Sequence, residues 1–207
     1  MKLITGLLEP TTGKIRFEGS ELTPKTIKKV RRKVGYTFQD PDNQLFMPSA
    51  FEDVAFAARQ KGLCEQDIQI IVSKALDEVE AQHLAEKASY NMSGGEKRLI
   101  TLASVLASEP EVLMLDEPSV GLDPRSRRML IKLLERRNET KIIATHDMDL
   151  ALELCDRVIV LHNGEIRADD TPAGIFEDSI LLNKNHLEVP LCMQGCIRYG
   201  NQDRVKG

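Results

Sequence analysis

The chain has 207 residues, of which 42% are hydrophobic and 29% are charged. This balance excludes disordered, collagen-like and coiled-coil proteins, and a chain of this length can bury a sizeable core. A net charge of −4 argues against a nucleic-acid partner, and four scattered cysteines argue against a disulfide scaffold. No apolar run reaches the ~20 residues that span a bilayer. The composition therefore predicts a globular cytosolic protein.

The first half of the sequence predicts short strands followed by a long helical region. Residues 1–8 read as the last turns of an apolar helix, and a Pro- and Gly-containing turn ends it. The predicted elements that follow are a half-buried strand at 14–18, a cationic helix face at 25–33, a strand at 34–38 and helical periodicity over about 51–107.

The second half alternates strands and helices, which predicts an α/β fold with a parallel sheet. Continuous apolar runs indicate strands buried on both faces at 112–115 and 141–144. Asn163-Gly164 predicts a hairpin turn between strands at 157–161 and 166–168. Helices are predicted at 126–137, at 148–155 and from Thr171 onward.

A Ser-Gly-Gly turn stands immediately before one predicted helix. Ser93, Gly94 and Gly95 lie within the segment that runs from Met92 to Arg98. Glycines let backbone N–H groups approach an anion, and the helix N-terminus adds partial positive charge. The alternative is an ordinary serine cap after a flexible turn.

Two carboxylates follow the apolar run at 112–115. Asp116 and Glu117 should lie at the carboxyl edge of a parallel sheet, where open α/β sheets bind ligands. Asp116 suits Mg²⁺, and Glu117 suits the polarisation of a water against a phosphoryl group. The alternative is a strand that ends in a charged turn. A further carboxylate, Asp123, follows in a turn, and the run at 141–144 brings His146 to the same edge.

In their order, these segments resemble the motifs of an ABC-type ATPase. Gln39 would belong to the Q-loop, and Ser93 to Glu96 would form the signature. Asp116 with Glu117 would end the Walker B strand. Gly121 to Asp123 would form the D-loop, and His146 would belong to the H-loop. Residues 34–46 are also similar to the ATP-binding subunits of cobalt/nickel importers and of energy-coupling-factor vitamin importers. The resemblance covers about residues 1–177.

The resemblance implies a P-loop NTPase-like (RecA-like) parallel-sheet core with a helical subdomain inserted at about 51–107. We expect an ATPase domain over residues 1–182 and a C-terminal tail over 183–207. The implied partners are a transmembrane transporter component and a second ABC ATPase subunit, in a homodimer or heterodimer, with no nucleic acid. The implied location is the cytoplasmic face of the cell membrane.

The resemblance also assigns roles toward ATP and Mg²⁺. The signature residues Ser93, Gly94, Gly95 and Glu96 would bind ATP. Ser93 and Gly95 would contact the γ-phosphate of ATP held by the opposite subunit. Asp116 would act through Mg²⁺. Glu117 would be the general base, and His146 would align the phosphate and the water. Gln39 would contact the metal and the membrane partner. Asp123 would couple the two sites.

One family motif is missing from the 207 residues. The only Gly-Lys pair is Gly13-Lys14, and Leu8 and Ile15 occupy positions that a G-x-x-x-x-G-K-S/T motif gives to Gly and Ser/Thr. We therefore expect this chain alone not to hydrolyse MgATP. One interpretation is a truncated gene or an internal start at Met1. The other is a non-catalytic half-site subunit that completes the ATP site of an intact paralogue.

Two further readings have weaker support. A soluble ABC protein of DNA repair or translation would have two ATPase halves or a coiled-coil insertion, and this sequence has neither. A metal site formed by His186, Cys192 and Cys196 has poor ligand spacing, with no fourth ligand nearby.

Overall fold

The structure is a computed structural model that describes residues 1–194. The chain divides into two compact units, the first from Met1 to His146 and the second beginning at Asp147. Within the described range, no helix is both long and apolar enough to cross a membrane. The first unit contains all five segments that resemble the motifs of an ABC-type ATPase.

The first unit combines a parallel sheet with a group of helices. Its elements are β1 (Arg16–Phe17), β2 (Ser20–Glu21), α1 (Ile27–Lys33), β3 (Val34–Thr37), α2 (Ala50–Gln60), α3 (Glu65–Glu78), α4 (Gly94–Leu106), β4 (Val112–Asp116), α5 (Pro124–Arg136) and β5 (Thr140–Ala144). The short strands β1 and β2 form an antiparallel pair. The other three strands form a parallel sheet in the order β3-β4-β5, which confirms the predicted α/β class.

The middle strand β4 is the centre of this core. Leu113, Met114 and Leu115 are all 0% exposed, as their unbroken apolar run predicts. Leu115 pairs with Thr37 on one side and with Ile143 on the other. This register brings the ends of the three strands to one edge of the sheet.

Gly35 on β3 lies where no side chain fits. A Cβ atom at this position would stand 2.4 Å from Cγ1 of Val105 and 3.0 Å from Cγ of Pro110. We expect Gly35→Ala to lower the free energy of unfolding by about 1–3 kcal/mol, because overpacking displaces neighbours in a dense core. Denaturant unfolding measures this, and Gly94→Ala is the control, since nothing lies within 4 Å of its added Cβ. Equal stability of the two variants would contradict the prediction.

The last strand of this sheet, β5, differs from the prediction. Residues 141–144 were predicted to be buried on both faces, but Thr140, Ile142 and Ala144 are exposed and no residue of β5 is fully buried. In the described part of the chain, β5 pairs only with β4. The prediction of a buried strand is wrong here, because an apolar run does not reveal whether a second neighbour covers the strand.

Helices α2, α3 and α4 pack against one another within the range predicted to be helical. Ser49 begins α2 by accepting a hydrogen bond from the backbone N–H of Glu52. The apolar faces are buried at i, i+3 and i+4 spacing. The buried residues include Val54, Ala58, Ile68, Val72, Ile100 and Ala103.

The first eight residues also differ from the prediction. They form successive turns rather than the end of a helix, with Ile4 N–H bonded to the Met1 carbonyl and Gly6 N–H to the Leu3 carbonyl. Gly6 has φ +65°, which interrupts a right-handed helix. The strand predicted at 14–18 is reduced to Arg16–Phe17.

The second unit has its own small core. Its elements are α6 (Met148–Leu154), β6 (Val158–His162), β7 (Glu165–Asp170), α7 (Pro172–Phe176) and α8 (Ser179–Lys184). Phe176 and Leu182 are each 1% exposed. Asn163 and Gly164 both have positive φ, as a two-residue hairpin turn between β6 and β7 requires. Helix α8 runs across the boundary predicted between residues 182 and 183.

Candidate functional site

The carboxyl ends of three parallel strands define the candidate site. β3 leads to Gln39, β4 leads to Glu117, and β5 leads to His146. Asp116 pairs directly with Ala144 of β5. The sheet therefore places the Q-loop, Walker B and H-loop residues along one edge, and it brings the side chains of Glu117 and His146 into contact.

Asp116 ends β4 and is held by the neighbouring strand β3. Its Oδ2 accepts a hydrogen bond of 3.0 Å from the Tyr36 hydroxyl, and its backbone N–H points to Thr37 Oγ1 at 3.4 Å. Partial burial raises the pKa of Tyr36 to about 12, with further contributions from the hydrogen bond to Asp116 and from its negative charge. A carboxylate fixed in this way can meet a cation at its other oxygen.

The pairing of Tyr36 with Asp116 makes a testable pH prediction. Because the folded-state pKa is raised, the neutral phenol stabilises the fold fully below the unfolded pKa of about 10, and this stability is lost as the pH rises toward 12. Tyrosinate absorbance should therefore show a component near pH 12 that Tyr36→Phe removes. Asp116→Asn should move that component only part of the way back, since burial is the larger cause. A native titration without the component would contradict the prediction.

Glu117 has an unusual backbone conformation. Its φ is +51°, in the left-handed region, and its N–H donates to the Ala144 carbonyl at 2.8 Å. Oε2 of its carboxylate lies 2.9 Å from Nδ1 of His146, 3.4 Å from the backbone N of His146 and 3.3 Å from Oγ1 of Thr145.

These contacts gather on one oxygen of the Glu117 carboxylate. The Glu117 side chain is only 18% exposed, whereas that of His146 is 74% exposed. The opposite carboxylate oxygen is the one suited to accept a proton from water, and the imidazole is suited to meet an anion in solvent. The geometry thus suits the division of roles that the resemblance implies.

The Ser93 loop forms a capping box at the start of α4. The Ser93 hydroxyl accepts from the Glu96 N–H at 3.3 Å, and Oε2 of Glu96 accepts from the Ser93 N–H at 2.6 Å. Lys87 lies 2.8 Å from Glu96, and mainly this contact lowers the pKa of Glu96 to about 2, with a contribution from the Ser93 N–H. Glu96 therefore stabilises the loop. The serine cap proposed as the alternative for this turn is present. The Ser93 hydroxyl acts in it as an acceptor and still has its own proton to donate.

The signature and D-loop segments approach each other closely. A Cβ atom on Gly95 would lie 3.3 Å from the Gly121 carbonyl oxygen, and Gly121 has φ +76°. Asp123 caps α5, since its carboxylate accepts from the backbone N–H groups of Arg125 and Ser126 and from the Ser126 hydroxyl. These bonds lower the pKa of Asp123. Its predicted coupling role remains a prediction.

The donor set is compatible with Mg²⁺ shared with a nucleotide. Among residues 1–194, no group of three His, Cys, Asp or Glu side chains could hold a metal ion. Mg²⁺ is usually bound by one or two carboxylates together with phosphate oxygens and waters. Asp116, which has one oxygen bonded by Tyr36, fits that arrangement. Gln39 is exposed, and its contact with a metal stays a prediction.

Two residues at this edge carry no sequence pattern that indicates a role. Tyr36 bonds Asp116 across 80 positions of sequence, and Arg98 donates to the backbone carbonyls of Glu117 and Gln39. No local pattern signals such long-range contacts. Arg98 stands three residues after the Ser-Gly-Gly turn, so its position was visible in the sequence although its partners were not.

The weak metal site receives no support from the described residues. Oδ1 of Asp149 accepts a hydrogen bond from the backbone N–H of Cys192. The imidazole of His186 stands 5.4 Å from that of His162, measured between ring centroids. Cys196 lies outside the described residues.

An ATP-binding cassette is the class of protein that this fold and this edge define. The family model described as ABC transporter matches residues 1–120. The chain belongs to the ABC transporter family and is an ATP-binding subunit of a transporter.

Similar proteins support the same assignment. An ABC transporter ATP-binding protein of Geobacter sulfurreducens is 46% identical over 93% of this chain and 78% of its own length. Energy-coupling factor transporter ATP-binding protein EcfA1 of Methanospirillum hungatei is 39% identical over 92% of this chain and 70% of its own length. The structure of cbiO1 from Clostridium perfringens, part of the ABC transporter complex cbiONQ, is 38% identical, with a TM-score of 0.75 over 88% of this chain and 75% of that chain.

A more distant structure shares the fold alone. MJ0796, a bacterial ABC transporter cassette solved as a dimer, aligns with a TM-score of 0.76 over 83% of this chain and 78% of that chain, at 24% identity.

Proposed function

We propose that this chain is the ATP-binding and ATP-hydrolysing subunit of an importer for a transition-metal ion, cobalt or nickel, or for a vitamin. The observation that carries the ATPase part is the contact between Glu117 and His146 at the carboxyl end of β4. This contact supports the proposal because the carboxylate and the imidazole stand at the end of the strand that carries Asp116, the acid suited to Mg²⁺. Phosphoryl transfer depends on such positioning and charge stabilisation.

The names of two relatives support the importer part of the proposal. One is called an energy-coupling factor transporter ATP-binding protein, and the other belongs to the complex cbiONQ. We propose that this chain likewise binds a transmembrane component at the cytoplasmic face of the membrane and forms a dimer with a second ATPase subunit. Uptake of radiolabelled cobalt, nickel and vitamins, with and without the gene, would identify the cargo.

When bound, ATP and Mg²⁺ supply the phosphoryl group and the charge neutralisation. The chain's own residues would contribute in distinct ways. Asp116 would hold the metal, and Glu117 would take a proton from water at its carboxylate. His146 would align the phosphate and the water, and Ser93 would donate to the phosphate of ATP on the opposite subunit.

A second candidate is a half-site subunit. The capping box at Ser93, which fixes this loop at the start of α4, supports it. In that case the Ser93 loop completes an ATP site whose P-loop belongs to a paralogue. Asp116 and Glu117 of this chain would then be idle.

Mixing the chain with a P-loop-bearing paralogue tests the role of Ser93. We expect no MgATP hydrolysis by the 207-residue chain alone and clear phosphate release by the mixture. Ser93→Arg should lower that release at least about 100-fold, because its bulk replaces a donor aimed at a transferring phosphate. Ser73→Arg, the same change at an exposed position of α3, is the control.

Equal rates with the native chain and with the Ser93→Arg variant would exclude the half-site function. Turnover by the chain alone that Glu117→Gln abolishes would show that no paralogue is needed.

A further inference from the structure

Arg98 connects three segments of the site through hydrogen bonds to backbone carbonyls and not through ion pairs. It lies in the first turns of α4, five residues after Ser93. One terminal guanidinium nitrogen donates to the Glu117 carbonyl at 2.8 Å, and the other donates to the Gln39 carbonyl at 3.0 Å. A single planar group thereby ties the helix behind the signature loop to the backbones of the Walker B and Q-loop residues.

This arrangement is unfavourable as a purely structural device. The Nε atom of Arg98 is buried and has no hydrogen-bond partner among the described residues. Both acceptors of the guanidinium are neutral carbonyls. Burial lowers the pKa of Arg98, although the negative charges of Glu117 and Asp40 act to raise it. Buried polar groups are normally satisfied, so an exception at a site indicates a role beyond folding.

Arg98 holds the backbone of the residue that bears the catalytic carboxylate. Glu117 has a left-handed φ, and its carbonyl otherwise accepts only a long bond of 3.4 Å from the Val120 N–H among the described contacts. Removing the 2.8 Å bond from Arg98 would free the carbonyl side of this residue. The Glu117 N–H would stay fixed to the Ala144 carbonyl, so a change would appear as a rotation of the Glu117–Pro118 peptide.

The Gln39 side of the connection is also anchored to α4. Gln44 accepts from the Phe38 N–H at 3.1 Å and donates to the Thr101 carbonyl and to the Ser104 hydroxyl, each at 3.1 Å. Lys97 lies 2.5 Å from Asp42. The segment from Gln39 to Gln44 is therefore bonded to α4 at several points, and Arg98 connects it to Glu117.

We propose that Arg98 is a positioning residue that couples the Gln39 segment and the Ser93 loop to the carboxylate of Glu117. The proposal deepens the proposed function and rests on it for the role of Glu117. Arg98 touches no reacting atom. A displacement of α4 or of Gln39 moves the guanidinium, and the guanidinium moves the Glu117 carbonyl. The fork of arginine suits this role, because each of its two terminal nitrogens donates to one carbonyl, whereas lysine has a single nitrogen.

Two measurements on the full 207-residue chain, without nucleotide, test the coupling. In hydrogen exchange, Arg98→Ala should raise exchange about 3- to 10-fold in residues 37–44 and 114–122, as expected from the loss of about one net hydrogen bond. Arg98→Lys should have a smaller effect confined to one of the two segments. The control Arg59→Ala removes an arginine that pairs with Glu52 and Glu65 away from the site, and it should change neither segment.

The imidazole resonances of His146, assigned with His146→Gln, report the carboxylate itself, because Nδ1 lies 2.9 Å from Glu117. They should shift in Arg98→Ala, shift less in Arg98→Lys and stay in place in Arg59→Ala. Exchange that rises equally in α3, or resonances that do not move, would overturn the proposal. Neither readout uses ATP, so an inactive assembly would count against the proposed function and not against the role of Arg98.

Discussion

Glu117→Gln is expected to lower MgATP hydrolysis about 100- to 10,000-fold in the assembled transporter, the range typical of a lost general base. Glutamine keeps the shape of the side chain and can still accept a bond at the position of Oε2, but it cannot take a proton from water. Thr145 and His146 contact one side of the native carboxylate. The substitution should therefore remove the proton acceptor and leave the fold unchanged. Steady-state phosphate release measures the rate, and nucleotide binding should persist.

The matched control for this change is Glu111→Gln. Glu111 precedes the same strand, pairs with Lys33 at 2.9 Å and is 61% exposed, so its neutralisation should alter the rate less than about twofold. A Glu117→Gln assembly with near-native turnover would contradict the active-subunit proposal. Combined with a strong loss in Ser93→Arg, it would favour the half-site candidate.

The largest effect on stability is expected from Leu115→Ala. This side chain is 0% exposed in the middle strand and immediately precedes Asp116. Its truncation removes buried apolar area and leaves a cavity, which should lower the free energy of unfolding by about 2–5 kcal/mol. Denaturant unfolding followed by circular dichroism gives the value.

Leu8→Ala serves as the control for Leu115→Ala, since the same atoms are removed from a side chain that is 55% exposed. It should change the free energy of unfolding by less than about 0.5 kcal/mol. A loss of similar size in both variants would show that β4 is not the centre of the core.

Local patterns in the sequence were sufficient to locate the central strand and the order of the site residues. An apolar run that ends in Asp116 and Glu117 predicts a buried strand with acids at its end, because burial on both faces needs such a run. Parallel strands then place the residue that follows each of them on one edge. The contact between Glu117 and His146 follows from this topology.

Other features depend on neighbours that no local pattern specifies. The run at 141–144 resembles a buried strand equally well in the middle or at the end of a sheet, and among residues 1–194 β5 stands at the end. Tyr36 and Arg98 reach partners 80, 19 and 59 positions away. Residues 1–8 have helical composition, yet the backbone at Gly6 turns to positive φ.

The position of β5 has a consequence for work with the purified chain. Within residues 1–194, β5 pairs only with β4, so its other edge offers backbone donors and acceptors to another strand, and Ile142 on β5 is 40% exposed. Lys141 offers little protection, since its ammonium is turned back to the carbonyls of Arg137 and Glu139. Concentrated solutions of the chain should therefore associate through strand addition. A subunit or segment that covers this strand would also keep the chain from associating with itself.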